Sequence, residues 1–274
     1  MAHSDSAREL VQWFPRNGSK AVIALSGGVD SAVVACAAKI ALDVNATAVT
    51  ANYKTLSKEE LSSAITVARQ IGIYHKMIEY DEVSNPEFAK NDEFRCYHCR
   101  KELGLRLSEE AMKLNADLIV DGTHKDDIIE TRVGIKAFRY YNVRSPLAEL
   151  GISKKQVRAL ARTFNLSVHD KPSNSCLASR IETGSVITYQ KLERIEKSEA
   201  LIRKSFGVRQ VRVRDHGEIA RIEVQREEMP KLFDVAKLDS VDALLRNLGF
   251  RYITIDVKGY HTGSMNPLQK IRGG

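Results

Sequence analysis

The sequence predicts a doubly wound parallel α/β sheet followed by a smaller α+β module. Three observations predict it: a glycine turn Ser26-Gly27-Gly28-Val29-Asp30-Ser31 between an apolar run and a small-residue stretch, strand and helix patterns that alternate up to residue 120, and paired alternating strands beyond residue 210. Residues 21–25 (AVIAL) are apolar at every position, as a strand covered on both faces requires, and 32–40 behind them reads as a buried helix. Residues 46–52 read as the second strand, 57–71 as a helix opened by a Ser-x-x-Glu capping box, and 74–80 as the third strand. A helix at 99–114 and a strand at 117–120 running into Asp121-Gly122-Thr123 complete the alternation. From Ser145-Pro146-Leu147 the pattern changes to a helix at 153–163, an irregular Pro/Ser/Asn-rich segment at 171–180 and a charged helix at 189–204. Beyond these, 210–214 and 219–225 alternate like a strand pair around His216-Gly217, 241–248 is helical, and 252–257 is a last strand. The boundary is expected near 180–188, dividing the chain into domains 1–184 and 185–274, with 272–274 a loose end.

Of the 274 residues 43% are hydrophobic, enough for a sizeable core. No apolar run approaches the roughly 20 residues of a membrane span, and the polar first eight residues contain no signal-peptide core, so a cytoplasmic protein without a membrane partner is expected. Four unevenly spaced cysteines are too few for a disulfide scaffold and suit a reducing compartment, where thiols serve metals or catalysis. The formal charge of +7 favours an anionic partner without choosing among nucleic acid, nucleotides and phosphorylated small molecules. No long basic stripe or appended RNA-binding domain is evident, which argues against a stable nucleic-acid complex.

The turn at 26–31 has the chemistry of a phosphate site. Gly27 and Gly28 let the backbone approach an anion, Ser26 and Ser31 add hydroxyls, and the following helix offers free N–H groups. Asp30 has the wrong sign for a phosphate ligand and makes sense holding Mg²⁺, so a nucleotide with its metal is expected. Neither a Walker A lysine nor a G-x-G-x-x-G is present. Ligands of such sheets sit at the carboxyl ends of the strands, which brings in Asn52 and Gly122. Asp126 and Asp127 either share Mg²⁺ with Asp30 or cap a helix. Cys96 and Cys99 form a C-x-x-C near a helix start, and Cys176 lies in the irregular segment, with no packing role to explain it. Three thiolates suit zinc with a fourth ligand such as His98, or a [4Fe-4S] cluster with one open iron. Without a cluster, Cys176 can attack as a thiolate helped by Arg180 or Lys171. Cys36 reads as a buried small hydrophobe. Arg212 and Arg214, two apart on a strand, project from one face and suit a substrate phosphate, or else form a solvated charged face.

The turn resembles the SGGxDS loop of the PP-loop ATP pyrophosphatases, of the adenine nucleotide alpha hydrolase type, which transfer AMP and release pyrophosphate. Together with DGTHKDD at 121–127, KPSNSCLASRIETG at 171–184, VRVRDHGEIARIE at 211–223 and LGFRYITIDVKGYHTGSMN at 248–266, it resembles the LarE family over almost the whole chain. The resemblance implies an ATP-dependent sulfur transferase that adenylates a carboxylate of pyridinium-3,5-biscarboxylic acid mononucleotide and converts it to a thiocarboxylate for the nickel-pincer nucleotide. It implies that Cys176 bears the sulfur, that Ser179, Arg212 and Arg214 hold the substrate phosphate, and that Arg180 belongs to the binding set. Cys96 and Cys99 add a resemblance to three-cysteine members, whose [4Fe-4S] cluster carries the transferred sulfide; that route is preferred, with sacrifice of Cys176 or a tRNA-thiolating enzyme as alternatives. The family's usual Asn is His124 here, and a homo-oligomer is expected.

Overall fold

A computed structural model describes residues 2–127, 137–261 and 264–265, so the expectation for 272–274 and part of the 248–266 motif lie outside the described residues. The chain divides into two compact units, one of residues 1–82 and 94–174, the other of 83–93 and 175–274.

The first unit is a five-stranded sheet of order β3-β2-β1-β4-β5, parallel at every pairing, built from β1 (Ala21–Ala24), β2 (Ala46–Asn52), β3 (Tyr74–Glu79), β4 (Leu118–Val120) and β5 (Val143–Arg144). Residue pattern and position agree: β1 and β2 at the centre are buried almost throughout, because helices cover both faces. Helix α1 (Ala2–Asn17) was not foreseen from the polar N-terminus. Its Ala7, Leu10, Trp13 and Phe14 recur at three- and four-residue spacing and bury one stripe, while Asp5, Arg8, Glu9 and Arg16 lie exposed off it. Helix α2 (Val29–Leu42) carries Ala32 through Ala38, all buried, and these short side chains let it sit between the sheet and neighbouring helices.

Helix α3 (Lys58–Ile71) begins at Ser57, whose hydroxyl accepts from Glu60 N, and stops at Gly72 in the left-handed region. Helix α4 (Arg95–Leu114) covers the opposite face, where Leu107 and Ala111 pack with Val22 and Val49. Helix α5 (Lys154–Thr163) has the reciprocal Ser153–Gln156 capping box and returns Val157, Leu160 and Ala161 to the α1–α2 core. β1 and β4 are neighbours from opposite halves of the winding, so their carboxyl ends open a switch-point crevice beside residues 26–31.

The second unit is a sheet of order β6-β7-β8, with β6 (Val211–His216) antiparallel to β7 (Ile219–Val224) and β8 (Tyr252–Ile255) parallel to β7. Helices α6 (Tyr189–Phe206) and α7 (Val235–Asn247) bring Ile202, Phe206, Val241 and Leu245 into its core with Val211, Val213 and Ile222. The segment 83–93 belongs here through Asn91, whose carbonyl accepts from Gly184 N and whose amide donates to the carbonyls of Glu182 and Ser185. Among the described residues, no helix is long and apolar enough to cross a membrane.

At the entry of the first sheet, Asp117 accepts from Ser19 N at 2.9 Å, Ser19 Oγ at 2.8 Å and Lys20 N at 2.9 Å, tying the turn before β1 to the start of β4. These donors hold its carboxyl down to about 2 from the ordinary 3.8. Its stabilising contribution is therefore fully present above pH 3.8 and is lost as pH falls toward about 2. Denaturation of Asp117→Asn beside the parent across that window is expected to show a stability gap that narrows on acidification; a constant gap contradicts the assignment.

Candidate active site

The turn at 26–31 is fixed from three sides. Ser31 Oγ accepts from Ser26 N at 3.1 Å and donates to the Gly28 carbonyl at 3.2 Å, closing the loop on itself. Gly27 takes φ +78°, and a Cβ there would lie 2.4 Å from the Glu60 carbonyl oxygen, so a side chain is excluded by both conformation and space. The Gly27 carbonyl accepts from Ser63 Oγ at 2.9 Å and Lys171 Nζ at 3.0 Å. Gly28 is the N-cap of α2 and supplies no side chain to its first N–H groups. The helix therefore opens with its partial positive charge toward whatever lies against the turn, the arrangement suited to a phosphate.

Gly122 belongs to the same constellation for a steric reason: its Cβ would lie 2.6 Å from Ser31 N, so only glycine lets the exit of β4 approach the start of α2. The buried Asp121 before it accepts from Ser145 Oγ at 2.6 Å and from Thr123, and burial raises its pKa. Asn52, expected at the ligand, donates from its side-chain amide to Glu79 Oε1 at 3.0 Å.

The expected magnesium carboxylates are engaged otherwise. Both oxygens of Asp30 meet Lys154 Nζ, at 2.7 and 2.5 Å, and the Asp127 carboxylate accepts from His124 N at 3.0 Å. Asp126 accepts from Lys154 N at 2.8 Å, the capping role that was its other reading. Carboxylates suit Mg²⁺ in kind, and here the Asp30 carboxylate is paired with the Lys154 ammonium.

Cys96 and Cys99 stand on the first turns of α4 in the first unit, while Cys176 belongs to the second. Among the described residues no group of three or more His, Cys, Asp and Glu side chains is placed to hold a metal ion. Cys36 is buried, and burial pushes its thiol up to about 11, as for a packing residue.

What the second unit does bring together is Cys176, Ser179, Arg180, Arg212 and Arg214. Cys176 precedes the short 3-10 turn Leu177–Arg180, and its carbonyl accepts from Ser179 N at 3.0 Å, Ser179 Oγ at 2.8 Å and Arg180 Nη1 at 2.9 Å. Arg180 is fully buried, with its Nε 2.9 Å from Glu199 Oε1, and also reaches the Ser175 carbonyl. It thus shapes the backbone under Cys176, where the sequence suggested an activator of the thiol. Lys171, the other suggested activator, is committed to Gly27 and Glu60 in the first unit.

Arg214 pairs with Glu223 Oε2 through Nε at 2.9 Å and Nη2 at 2.7 Å, and its Nη1 donates to the Ser179 carbonyl at 3.2 Å, linking the cysteine turn to β6. Arg212 lies over the Tyr260 ring, and burial together with the Arg180 charge lowers its pKa to about 10. A phosphate dianion beside these guanidinium groups would relieve both pressures. Arg212 and Arg214 are thus buried, not the solvated face that was their alternative. Lys154, Glu60, Glu199 and Glu223 had not been singled out. Lys154 and Glu60 act through partners more than a hundred residues away, which no local pattern announces, while Glu223 meets Arg214 across the β6–β7 hairpin, and a lysine at the first position of a helix, unfavourable to the dipole, was a signal in the case of Lys154.

Residues 4–214 match the family model described as NAD synthase. The chain is 39% identical over 262 residues to the uncharacterized protein slr1717 of Synechocystis, covering 96% of this chain and 97% of that one. It is 33% identical over 251 residues to pyridinium-3,5-bisthiocarboxylic acid mononucleotide synthase of Lactiplantibacillus plantarum, covering 90% and 89%. A more partial match, 28% identity over 193 residues covering 56% and 44%, is to the tRNA-specific 2-thiouridylase MnmA of Beijerinckia indica.

Gly27→Ala places a methyl group against the α3 backbone at a positive φ, and is expected to cost about 1–3 kcal/mol of stability and to weaken nucleotide binding. Urea denaturation and nucleotide titration of the variant check this. Unchanged stability and affinity would contradict the described turn.

Proposed function

The chain belongs to the LarE family of PP-loop, NAD synthase-like ATP-utilising enzymes, and on that footing we propose that it is a sulfur transferase acting on pyridinium-3,5-biscarboxylic acid mononucleotide. The observation that carries the reading is the Cys176 turn, tied through Ser179 to Arg214 and so to the buried arginines of β6. A thiol beside a phosphate-binding cluster suits a phosphorylated acceptor of sulfur.

ATP enters with its pyrophosphate against Gly28 and the start of α2, where unsatisfied N–H groups supply positive charge. A carboxylate oxygen of the substrate attacks the α-phosphorus, the bond to pyrophosphate breaks, and an acyl adenylate forms. Arg212 and Arg214, both buried, hold the substrate's phosphate. The Cys176 thiolate then attacks the acyl carbon and AMP departs, leaving a thioester. Loss of the Cys176 Cα proton with cleavage of its Cβ–Sγ bond releases the thiocarboxylate and leaves dehydroalanine at position 176. Mg²⁺, which the family implies, supplies charge neutralisation to the phosphates when bound.

Incubation with Mg²⁺, ATP and the dicarboxylate substrate tests the scheme. Cys176→Ala is expected to keep substrate-dependent pyrophosphate release while yielding no thiocarboxylate; loss of both would contradict its role as sulfur donor. Analysis of anaerobically purified protein tests the three-cysteine reading, which the Cys96–Cys99 spacing favours. Protein that carries iron and sulfide and turns over repeatedly would displace the sacrificial route.

A further inference from the structure

Lys171 lies outside the phosphate turn, yet it reaches into it. Its ammonium is 3.0 Å from the Gly27 carbonyl oxygen and 2.8 Å from Glu60 Oε1, with its side chain 17% exposed and that of Glu60 8%. Asn174 Nδ2 donates to the same Glu60 oxygen at 3.0 Å, and Ser63 Oγ donates to the same Gly27 carbonyl at 2.9 Å. The Gly27 carbonyl thus has two donors, one of them charged.

The peptide between Gly27 and Gly28 is planar and trans, so its carbonyl and its N–H point in opposite directions. Anchoring the carbonyl toward Ser63 on α3 turns the Gly28 N–H away from that helix. There the N–H meets Ser26 Oγ at 3.4 Å, the long end of the hydrogen-bond range, a contact readily exchanged for a phosphate oxygen. With glycine at both positions no Cβ restrains the direction of the peptide, and the two donors are what the Gly27 carbonyl meets. We infer that Lys171 is a positioning residue for the pyrophosphate cradle: with Ser63 it holds the Gly27 carbonyl and so aims the Gly28 N–H at the phosphate.

Glu60 gives Lys171 a second task, since a buried carboxylate near an anion site opposes the anion unless neutralised. The two roles separate experimentally. If Lys171 only cancels the Glu60 charge, removing both charges restores binding; if it positions the peptide, it does not.

The inference rests on residues 26–31 receiving ATP. Calorimetric titration of a non-hydrolysable ATP analogue with Mg²⁺ into the full chain supplies the affinity, with thermal unfolding alongside. Lys171→Met is expected to weaken binding about tenfold, as for loss of a charged hydrogen bond, and Lys171→Arg to recover part of the loss. Because Lys171→Met strands the Glu60 charge and threatens folding, the deciding variant is the neutral pair Glu60→Gln/Lys171→Met, expected to melt near the parent and still bind about tenfold more weakly. Ser63→Ala, which alters no charge, is expected to weaken binding about threefold. Parent-like affinity in the double variant overturns the positioning role. A parent protein that does not bind the analogue overturns the ATP reading itself, a separate failure.

Discussion

The close approach of backbone to backbone around residues 26–31 is the constraint from which the rest follows. Gly27 lies against the first turn of α3 and Gly122 against the start of α2, each where a Cβ would fall under 3 Å from a neighbouring main-chain atom. A turn packed this way cannot adjust by moving side chains; it holds one path, and α2 begins where that path leaves it. The alanines of α2 and the almost wholly buried β1 and β2 follow from the same demand, since a helix bearing larger side chains would stand off the sheet and take the turn with it.

Electrostatics then determine what the turn accepts. The helix N-terminus is positive, Glu60 and Asp30 are negative, and each carboxylate carries its own lysine, Lys171 and Lys154. Local charge is balanced before any ligand arrives, so an incoming polyphosphate meets oriented N–H groups without paired carboxylates opposing it. The second unit solves a similar problem differently. Glu199 and Glu223 hold Arg180 and Arg214 in place, and Arg212 beside them is pressed toward its neutral form by burial. Guanidinium groups held in this way favour an anion of high charge.

Much of this was legible in the sequence. The apolar run at 21–25, the glycine turn and the small residues after it specify a strand, a tight bend and a close-packed helix with little ambiguity, and the doubly wound sheet follows from their repetition. Helix α1 was overlooked because its first residues are polar, and β5, two residues long, gives no periodic signal. The motif residues of the site were identifiable, but their partners were not. Lys154 meets Asp30 across 124 residues and Lys171 meets Gly27 across 144, distances over which no local pattern operates. The same limit applies to the cysteines, where spacing marked Cys96 and Cys99 as a pair but did not determine which chain segments assemble with them.

The central claim is that the turn at 26–31 serves transfer of AMP to a carboxylate, with sulfur arriving afterwards. Its most direct test is the fate of carboxylate oxygen. With substrate labelled by heavy oxygen in the reacting carboxylate, mass spectrometry of the nucleotide after thiocarboxylate formation is predicted to find one labelled oxygen in AMP, carried over when the acyl–oxygen bond breaks. Label in pyrophosphate or inorganic phosphate, or unlabelled AMP alongside labelled water, would contradict adenylation.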